Sequence, residues 1–172
     1  MLKEKVLKAI NQQINNEYYS AFLYLSMSAW FQGKGLPGFA NWMYIQYQEE
    51  LTHGNKFFKY VHDRGSQVVL KSIAQMDTDF ENVISVFEKT LEHEQFVTAS
   101  INKLMDTAIS ESDHATQSFL KWFIDEQVEE EASVNEILDT LRLINGQGNG
   151  IVMLDRELRQ RVFVDDTVTA AE

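Results

Sequence analysis

Apolar residues recur at steps of three and four along four long segments of the chain, which is the spacing of one face of an α-helix. Each of these apolar stripes carries a carboxylate near its midpoint. The stripes are Ile10, Ile14, Glu17, Ala21 and Tyr24; Met43, Gln46, Glu50, His53, Phe57 and Tyr60; Phe87, Leu91, Glu94, Thr98 and Ile101; and Leu120, Phe123, Gln127, Glu130, Val134, Ile137 and Leu141. The pattern predicts four helices that each bury an ionisable residue.

Glycine, proline and capping residues set the predicted ends of these helices. The first helix is predicted over residues 2–31, the second over 37–64, the third over 78–109, the fourth from just after Asp113 to 145, and a short fifth over 151–161. Thr78 with Glu81 matches a capping box at the start of the third helix. We expect one domain over residues 1–172, with the bundle at about 2–145 and a flexible tail at 162–172.

Connector lengths predict how the helices are arranged. The links between helices one and two and between three and four are short, so each pair should be an antiparallel hairpin. Residues 65–77, with the strand-like run 68–70, form a longer connector. Extended at ~3.3 Å per residue it spans about 40 Å, which is the length of the second helix at ~1.5 Å per residue. The second and third helices should therefore run parallel, in an all-α four-helix bundle with one long crossover.

The four buried carboxylates are the candidate chemistry of this chain. A buried Glu is costly unless it is paired, protonated or bound to a cation, and no Lys or Arg lies on the stripes near these residues. Glu50 and His53 are spaced i,i+3 and share a helix face. Bundles that hold two iron ions use one Glu from each of two helices and Glu-x-x-His from the others. We therefore predict a metal site.

Composition narrows the metal and the partners. The chain has no Cys, so carboxylate oxygen and imidazole remain as ligands, which favours iron or manganese over structural zinc. A net charge of −11 argues against nucleic acid and anionic membranes as partners. The N-terminal residues lack an apolar signal-peptide core, and no run approaches ~18 apolar residues, so a cytoplasmic protein is expected.

The pattern resembles the non-haem bacterial ferritins over nearly the whole chain, including the short fifth helix. The resemblance implies a ferritin-like fold and a paired iron centre in which Glu50 bridges two ions. It assigns Glu17, Glu50 and His53 to the first iron, Glu50 and Glu94 to the second, Gln127 to a position beside the pair, and Glu49, Glu126, Glu129 and Glu130 to a third iron site. Tyr24 matches the tyrosine near the family's oxidation centre, and Trp122 matches another aromatic residue that resembles an electron donor.

Two departures separate this chain from neighbouring subfamilies. Bacterioferritins have a second Glu-x-x-His, where this chain reads Gln127-Val128-Glu129-Glu130. They also have a haem-binding Met after the helix-two Glu, where this chain has Leu51, so haem is not expected. Animal ferritins line their iron-entry pores with acidic residues early in the fourth helix. The matching residues here, 117–120, read Gln-Ser-Phe-Leu, so iron entry by that route is not expected.

The resemblance implies iron storage with ferroxidase activity: Fe(II) is oxidised by dioxygen or hydrogen peroxide, and Fe(III) is deposited inside a shell of twenty-four subunits. Alternatives stay open for the function and for single residues. The bundle could be a di-iron oxygenase or peroxidase, which needs an apolar substrate pocket, or a metal-free helical scaffold. Glu17 could pair with a Lys, the acidic run 129–131 could be a solvated helix face, and Tyr24 and Trp122 could be packing residues. His62, His93 and His114 are predicted to be surface residues.

Overall fold

The computed structural model describes residues 1–165 and 167, and this part of the chain forms five helices and no strand. The helices are α1 (Glu4–Gly33), α2 (Pro37–Asp63), α3 (Val83–Ser110), α4 (His114–Leu143) and α5 (Gly148–Leu158). The predicted all-α class is confirmed. None of these helices is long and apolar enough to cross a membrane. Of the predicted tail, residues 166 and 168–172 lie outside the described residues.

The crossover between α2 and α3 runs along α1 for the length of the bundle. Near its start, the Leu2 amide donates to Ser66 Oγ at 3.2 Å. Further along, the Val69 amide donates to Asn11 Oδ1 at 2.8 Å, and at the far end Ser26 Oγ donates to the Asp77 carbonyl at 2.6 Å. These contacts advance along α1 in chain order, so α3 begins at the end of the bundle where α2 began. The predicted parallel orientation of α2 and α3 follows from this path.

The start of α3 differs from the prediction. The helix begins at Val83, not at Thr78, and its N-cap is Asn82. The Asn82 side chain accepts from the Ser85 amide at 2.9 Å, and Ser85 Oγ accepts from the Asn82 amide at 3.0 Å. The predicted Thr78–Glu81 box is wrong because residues 77–80 are still held along α1. Phe80 packs edge-to-face on Trp30 with ring centroids 5.7 Å apart.

Helix α5 begins three residues earlier and ends three residues earlier than the sequence predicts, at Gly148 and Leu158. It docks on the N-terminus of α2. Asp155 Oδ1 accepts from the amides of Gly38 at 2.8 Å and Phe39 at 3.1 Å, which satisfies two free donors of the α2 end. A Cβ at Gly38 would lie 1.6 Å from the Asp155 carbonyl oxygen, so only glycine allows this approach.

The core consists of two apolar clusters, one toward each end of the bundle. One cluster contains Tyr24, Phe31, Phe39, Met43, Phe87 and Leu138, and the other contains Ile10, Ile14, Phe57, Ile101, Leu120 and Phe123. Buried polar residues occupy the intervening turns of the four long helices: Glu17, Gln46, Glu50, His53, Glu94, Gln127 and Glu130. The fold therefore brings the four stripe midpoints into one polar layer between two apolar blocks.

Candidate metal centre

The centre of the polar layer is formed by residues of α1 and α2. Glu17, Glu50 and His53 each have at most 2% of their surface exposed, and one ligand atom from each lies within 4.8 Å of the others. Glu50 and His53 stand one turn apart on α2, with Glu50 Oε2 3.6 Å from His53 Nδ1. Two carboxylates and an imidazole in one buried group are a ligand set suited to Fe(II), Mn(II) or Zn(II).

Several ligand atoms of this group have no partner. Glu17 Oε2, both carboxylate oxygens of Glu50 and His53 Nε2 are buried without a hydrogen bond. They are four of the six buried side-chain polar atoms in the described chain that lack a partner. Buried polar atoms are nearly always bonded, so four such atoms that converge from three residues form a group suited to binding a cation. The alternative of a Glu17–Lys pair is wrong: within the described chain no Lys pairs with Glu17, and Glu17 Oε1 accepts from Gln13 at 2.9 Å.

Glu94 lies on the opposite side of the layer and is fully bonded. The Tyr24 hydroxyl donates to Glu94 Oε1, and Gln127 Nε2 donates to Glu94 Oε2 at 3.1 Å. Gln127 Nε2 is also 3.3 Å from the Glu94 carbonyl oxygen. The two halves of the layer therefore differ, because neither oxygen of Glu50 has a hydrogen bond, whereas each oxygen of Glu94 accepts one.

Burial governs the protonation of these groups. It raises the pKa of Glu17 to about 7, against the hydrogen bond from Gln13. It raises the pKa of Glu94 to about 8, with the charge of Glu130 adding to the rise, and it raises that of Glu50 well above its ordinary value. Burial lowers the pKa of His53 to about 4, so the imidazole is neutral at pH 7 and can act as a ligand.

On the flank of the layer, between α2 and α4, lie three of the four residues assigned to a third site: Glu49, Glu126 and Glu130. Glu126 and Glu130 approach His53 to within 4.8 Å. Glu130 Oε2 accepts from Gln46 Nε2 at 2.8 Å, and Glu49 Oε2 accepts from Arg161 at 2.7 Å. Trp122 borders this flank, with its ring centroid 5.4 Å from that of His53, and Glu129 is exposed.

One histidine prediction is wrong. His62 and His114 are exposed as predicted, but His93 is partly buried, with its Nε2 2.7 Å from Ser20 Oγ. The His93 ring also lies against Tyr24, with centroids 6.0 Å apart. The residue sits beside the α3 stripe, and the aromatic side chains of α1 cover it.

Two functional candidates, Gln13 and Arg161, were absent from the sequence prediction. Gln13 lies one turn before Glu17, so helical spacing could have shown that it faces the same way. Arg161 lies beyond α5, and its position depends on how that helix docks. No local pattern in the sequence indicates it.

Comparison with known proteins agrees with this geometry. Residues 7–144 match the Ferritin-like domain family. A bacterial non-heme ferritin of Campylobacter jejuni is 40% identical and the match covers 92% of this chain and 95% of that one. A bacterial non-heme ferritin of Staphylococcus saprophyticus is 39% identical, and the match covers 95% of this chain and 98% of that one. The open-pore ferritin of the archaeon Archaeoglobus fulgidus superposes with a TM-score of 0.93 at 44% identity, over 94% of this chain and all of that one. This chain therefore belongs to the ferritin family.

Proposed function

We propose that this protein stores iron: it binds Fe(II) in the polar layer of the bundle, oxidises it, and deposits Fe(III) as a mineral. The observation that carries this proposal is the set of buried ligand atoms without partners on Glu17, Glu50 and His53. Together with Glu94 and Glu130, Glu17 and Glu50 give the layer four carboxylates, whose ionised charge equals that of two divalent cations. Its relatives are named bacterial non-heme ferritins, which agrees with iron as the substrate.

The ligands have different roles in this proposal. Glu17, Glu50 and His53 hold the first Fe(II), and the second free oxygen of Glu50 allows it to bridge to a second ion. Glu94 holds the second ion once its carboxylate turns from Tyr24 and Gln127. Because Tyr24 is protonated, with its pKa raised by burial, it can steady Glu94 as a hydrogen-bond donor. A redox role for Tyr24 or Trp122 stays a prediction.

The redox chemistry belongs to iron, and the protein supplies geometry and charge. Two Fe(II) ions lose one electron each, and dioxygen with two protons becomes hydrogen peroxide. Hydrogen peroxide in turn takes two electrons from another pair of Fe(II) ions and two protons from solvent, and yields two waters. We propose that either oxidant serves, since the ligand set is the same for both.

A third iron site on the α2/α4 flank is the next part of the proposal. Glu126 and Glu130 already stand near His53, which supports two of the four assigned ligands. Glu49 and Glu129 would join them from the solvent side. An ion here would lie beside the pair and could accept iron on its way to the mineral.

We further propose assembly into a shell, for which twenty-four subunits are expected. Large apolar side chains remain exposed along α1, α2 and the crossover: Phe22, Phe58, Val69, Leu70 and Ile73. Exposed apolar residues in such numbers are typical of surfaces that other subunits cover. Similar proteins of known structure include the open-pore ferritin of Archaeoglobus fulgidus and a closed form of it made by mutagenesis. A cytoplasmic location stays a prediction.

Iron titration of the assembled protein tests the function. Metal-free protein is mixed with increasing Fe(II) in air, and oxidation is followed by ultraviolet absorbance while size-exclusion chromatography measures the particle. We expect a very large particle that takes up many more irons per subunit than it has ligand sites. Uptake that stops at two irons per subunit would contradict storage, and oxidation of an added apolar substrate would then favour the oxygenase alternative.

A further inference from the structure

Arg161, three residues beyond the end of α5, reaches into the flank of the polar layer. Its Nη2 donates to Glu49 Oε2 at 2.7 Å, and its Nη1 donates to Gln46 Oε1 at 2.5 Å. The guanidinium group also lies over the Trp42 ring, 4.8 Å from its centroid. Both partners in the ion pair are largely shielded, with side chains 27% and 18% exposed.

The same arginine acts on a second acid through Gln46. The Gln46 amide accepts from Arg161 and donates to Glu130 Oε2 at 2.8 Å, so its orientation is fixed from both sides. Glu49 and Glu130 are thus joined through one guanidinium and one amide. Both are ligands of the proposed third iron site, and Arg161 supplies a positive charge at its edge.

We propose that Arg161 is a positioning residue that holds Glu49 in the metal-free protein and must release it when a third cation binds. The guanidinium group occupies Glu49 Oε2 and places a positive charge beside the proposed site, so Arg161 and a third cation compete for the Glu49 carboxylate. This inference rests on the proposed third site and adds a charged group that controls its affinity. It makes no change to the ligands of the paired centre.

Release of Glu49 requires only a side-chain movement. The backbone of this segment is anchored independently, because Asn41 Nδ2 donates to the carbonyl oxygens of Arg161 at 3.0 Å and Leu158 at 3.3 Å. When the ion pair opens, the guanidinium group can keep its cation–π contact with the Trp42 ring. The third ion can therefore be admitted without undocking α5.

Substitution of Arg161 gives the proposal a definite sign. In Arg161→Gln the competing charge is lost, so Glu49 no longer binds a guanidinium group and the flank becomes more negative. We expect the affinity for a third cation to rise by about fivefold, the usual size of a partly exposed ion pair. Arg161→Lys keeps the charge but lacks the guanidinium group that binds Glu49 and Gln46 at once. The affinity of this variant for a third cation should therefore lie between those of the unaltered protein and Arg161→Gln.

The probe is Zn²⁺, which takes the same oxygen and imidazole ligands and is redox-inert. Calorimetric titration of the assembled, metal-free protein separates tight from weak ions, and zinc anomalous density assigns each to a site. Arg159→Gln is the matched control, since Arg159 is exposed on the same segment. Circular dichroism and thermal melting verify that α5 stays folded in each variant.

The outcomes are distinguishable. Tighter third-ion binding in Arg161→Gln, with unchanged paired-site affinity and no effect of Arg159→Gln, supports the proposal. Unchanged or weaker third-ion binding overturns it, as does the absence of a third ion at Glu49 in every variant. Failure of Zn²⁺ to bind at Glu17, Glu50 and His53 in the unaltered protein would instead overturn the proposed function.

Discussion

At the scale of single residues, the polar layer is asymmetric. Glu50 and His53 have ligand atoms with no partner, whereas Glu94 is held by Tyr24 and Gln127. A cation that binds among Glu17, Glu50 and His53 relieves a desolvation cost, while one that binds Glu94 must first break hydrogen bonds. We therefore expect the two halves to fill in sequence, with the Glu50 half first.

Removal of a paired-site carboxylate should abolish fast oxidation. Glu50→Ala removes the bridging ligand and Glu94→Ala removes a ligand of the second ion. We expect each to slow Fe(II) oxidation by at least about tenfold, since even outer-shell changes around metals have effects of that size. The shell should still assemble, because loss of a buried acid relieves repulsion in the metal-free state.

Stopped-flow absorbance after Fe(II) is mixed with oxygenated protein measures this rate. Glu92→Ala is the matched control, as Glu92 is an exposed acid on the same helix as Glu94. If both Glu50→Ala and Glu94→Ala oxidise Fe(II) at the unaltered rate, the paired centre is assigned to the wrong residues.

The stability of the metal-free protein should fall as pH rises from 6.5 to 8. Burial raises the pKa of Glu17 to about 7 and of Glu94 to about 8, from 4.5. The folded protein thus binds protons that the unfolded chain has released, and this contribution to stability disappears as pH passes through those values. His53 and His93, with pKa values lowered to about 4 from 6.5, act in the opposite sense but only below pH 6.5.

Thermal unfolding with a chelator present tests this pH dependence. The midpoint should drop by about 6 °C between the two pH values, as expected for a linkage of about one proton over this range, or about 2 kcal/mol. Glu94→Gln keeps the shape of the side chain without the charge and should flatten the slope. A midpoint that rises with pH over this range would contradict the assigned shifts.

The four acids at the stripe midpoints could be predicted from the sequence because helical spacing alone places them on buried faces. His93 and Arg161 could not. His93 lies beside its stripe and is covered by α1, a neighbour that spacing within α3 does not reveal. The contact of Arg161 depends on the docking of α5, which Asp155 and Gly38 fix across 117 residues of chain.

At the scale of secondary-structure elements, tertiary contact decides where α3 begins. Asn82 is the slightly better N-cap residue, but Thr78 with Glu81 matches the capping-box pattern, so the local sequence does not decide between them. The crossover must stay extended until it reaches the far end of α1, where Ser26 holds the Asp77 carbonyl. The helix can begin only beyond that contact, so the later cap is used.

The cap assignment can be tested locally. Asn82→Ala removes the side-chain acceptor for the Ser85 amide and should destabilise the first turn of α3 by about 1 kcal/mol. Amide hydrogen exchange of residues 83–86 should then be about fivefold faster, by the usual conversion of free energy to equilibrium. Thr78→Ala, the matched control in the crossover, should leave this exchange unchanged. A larger effect from Thr78→Ala would restore the earlier helix start.

At the scale of the whole molecule, a polar layer divides the core into two apolar clusters. The two clusters bury the apolar side chains that stabilise the bundle, so the residues of the polar layer can serve as metal ligands instead of packing. A net charge of −11 also raises the local concentration of cations around the molecule. Topology was predictable because connector lengths limit the possible arrangements, whereas the residues exposed for the proposed subunit contacts become visible only in the folded structure.

Haem binding depends on contacts between subunits, since the bacterioferritin haem lies between two of them. Leu51, directly after Glu50, is partly buried on α2 and has no atom that can ligate iron. Protein purified after growth with a haem precursor should therefore show no Soret band. Leu51→Met tests whether the donor atom alone is missing: a band in this variant but not in the unaltered protein would show that the interface otherwise accommodates haem. A stoichiometric Soret band in the unaltered protein would contradict the assignment to the non-haem branch.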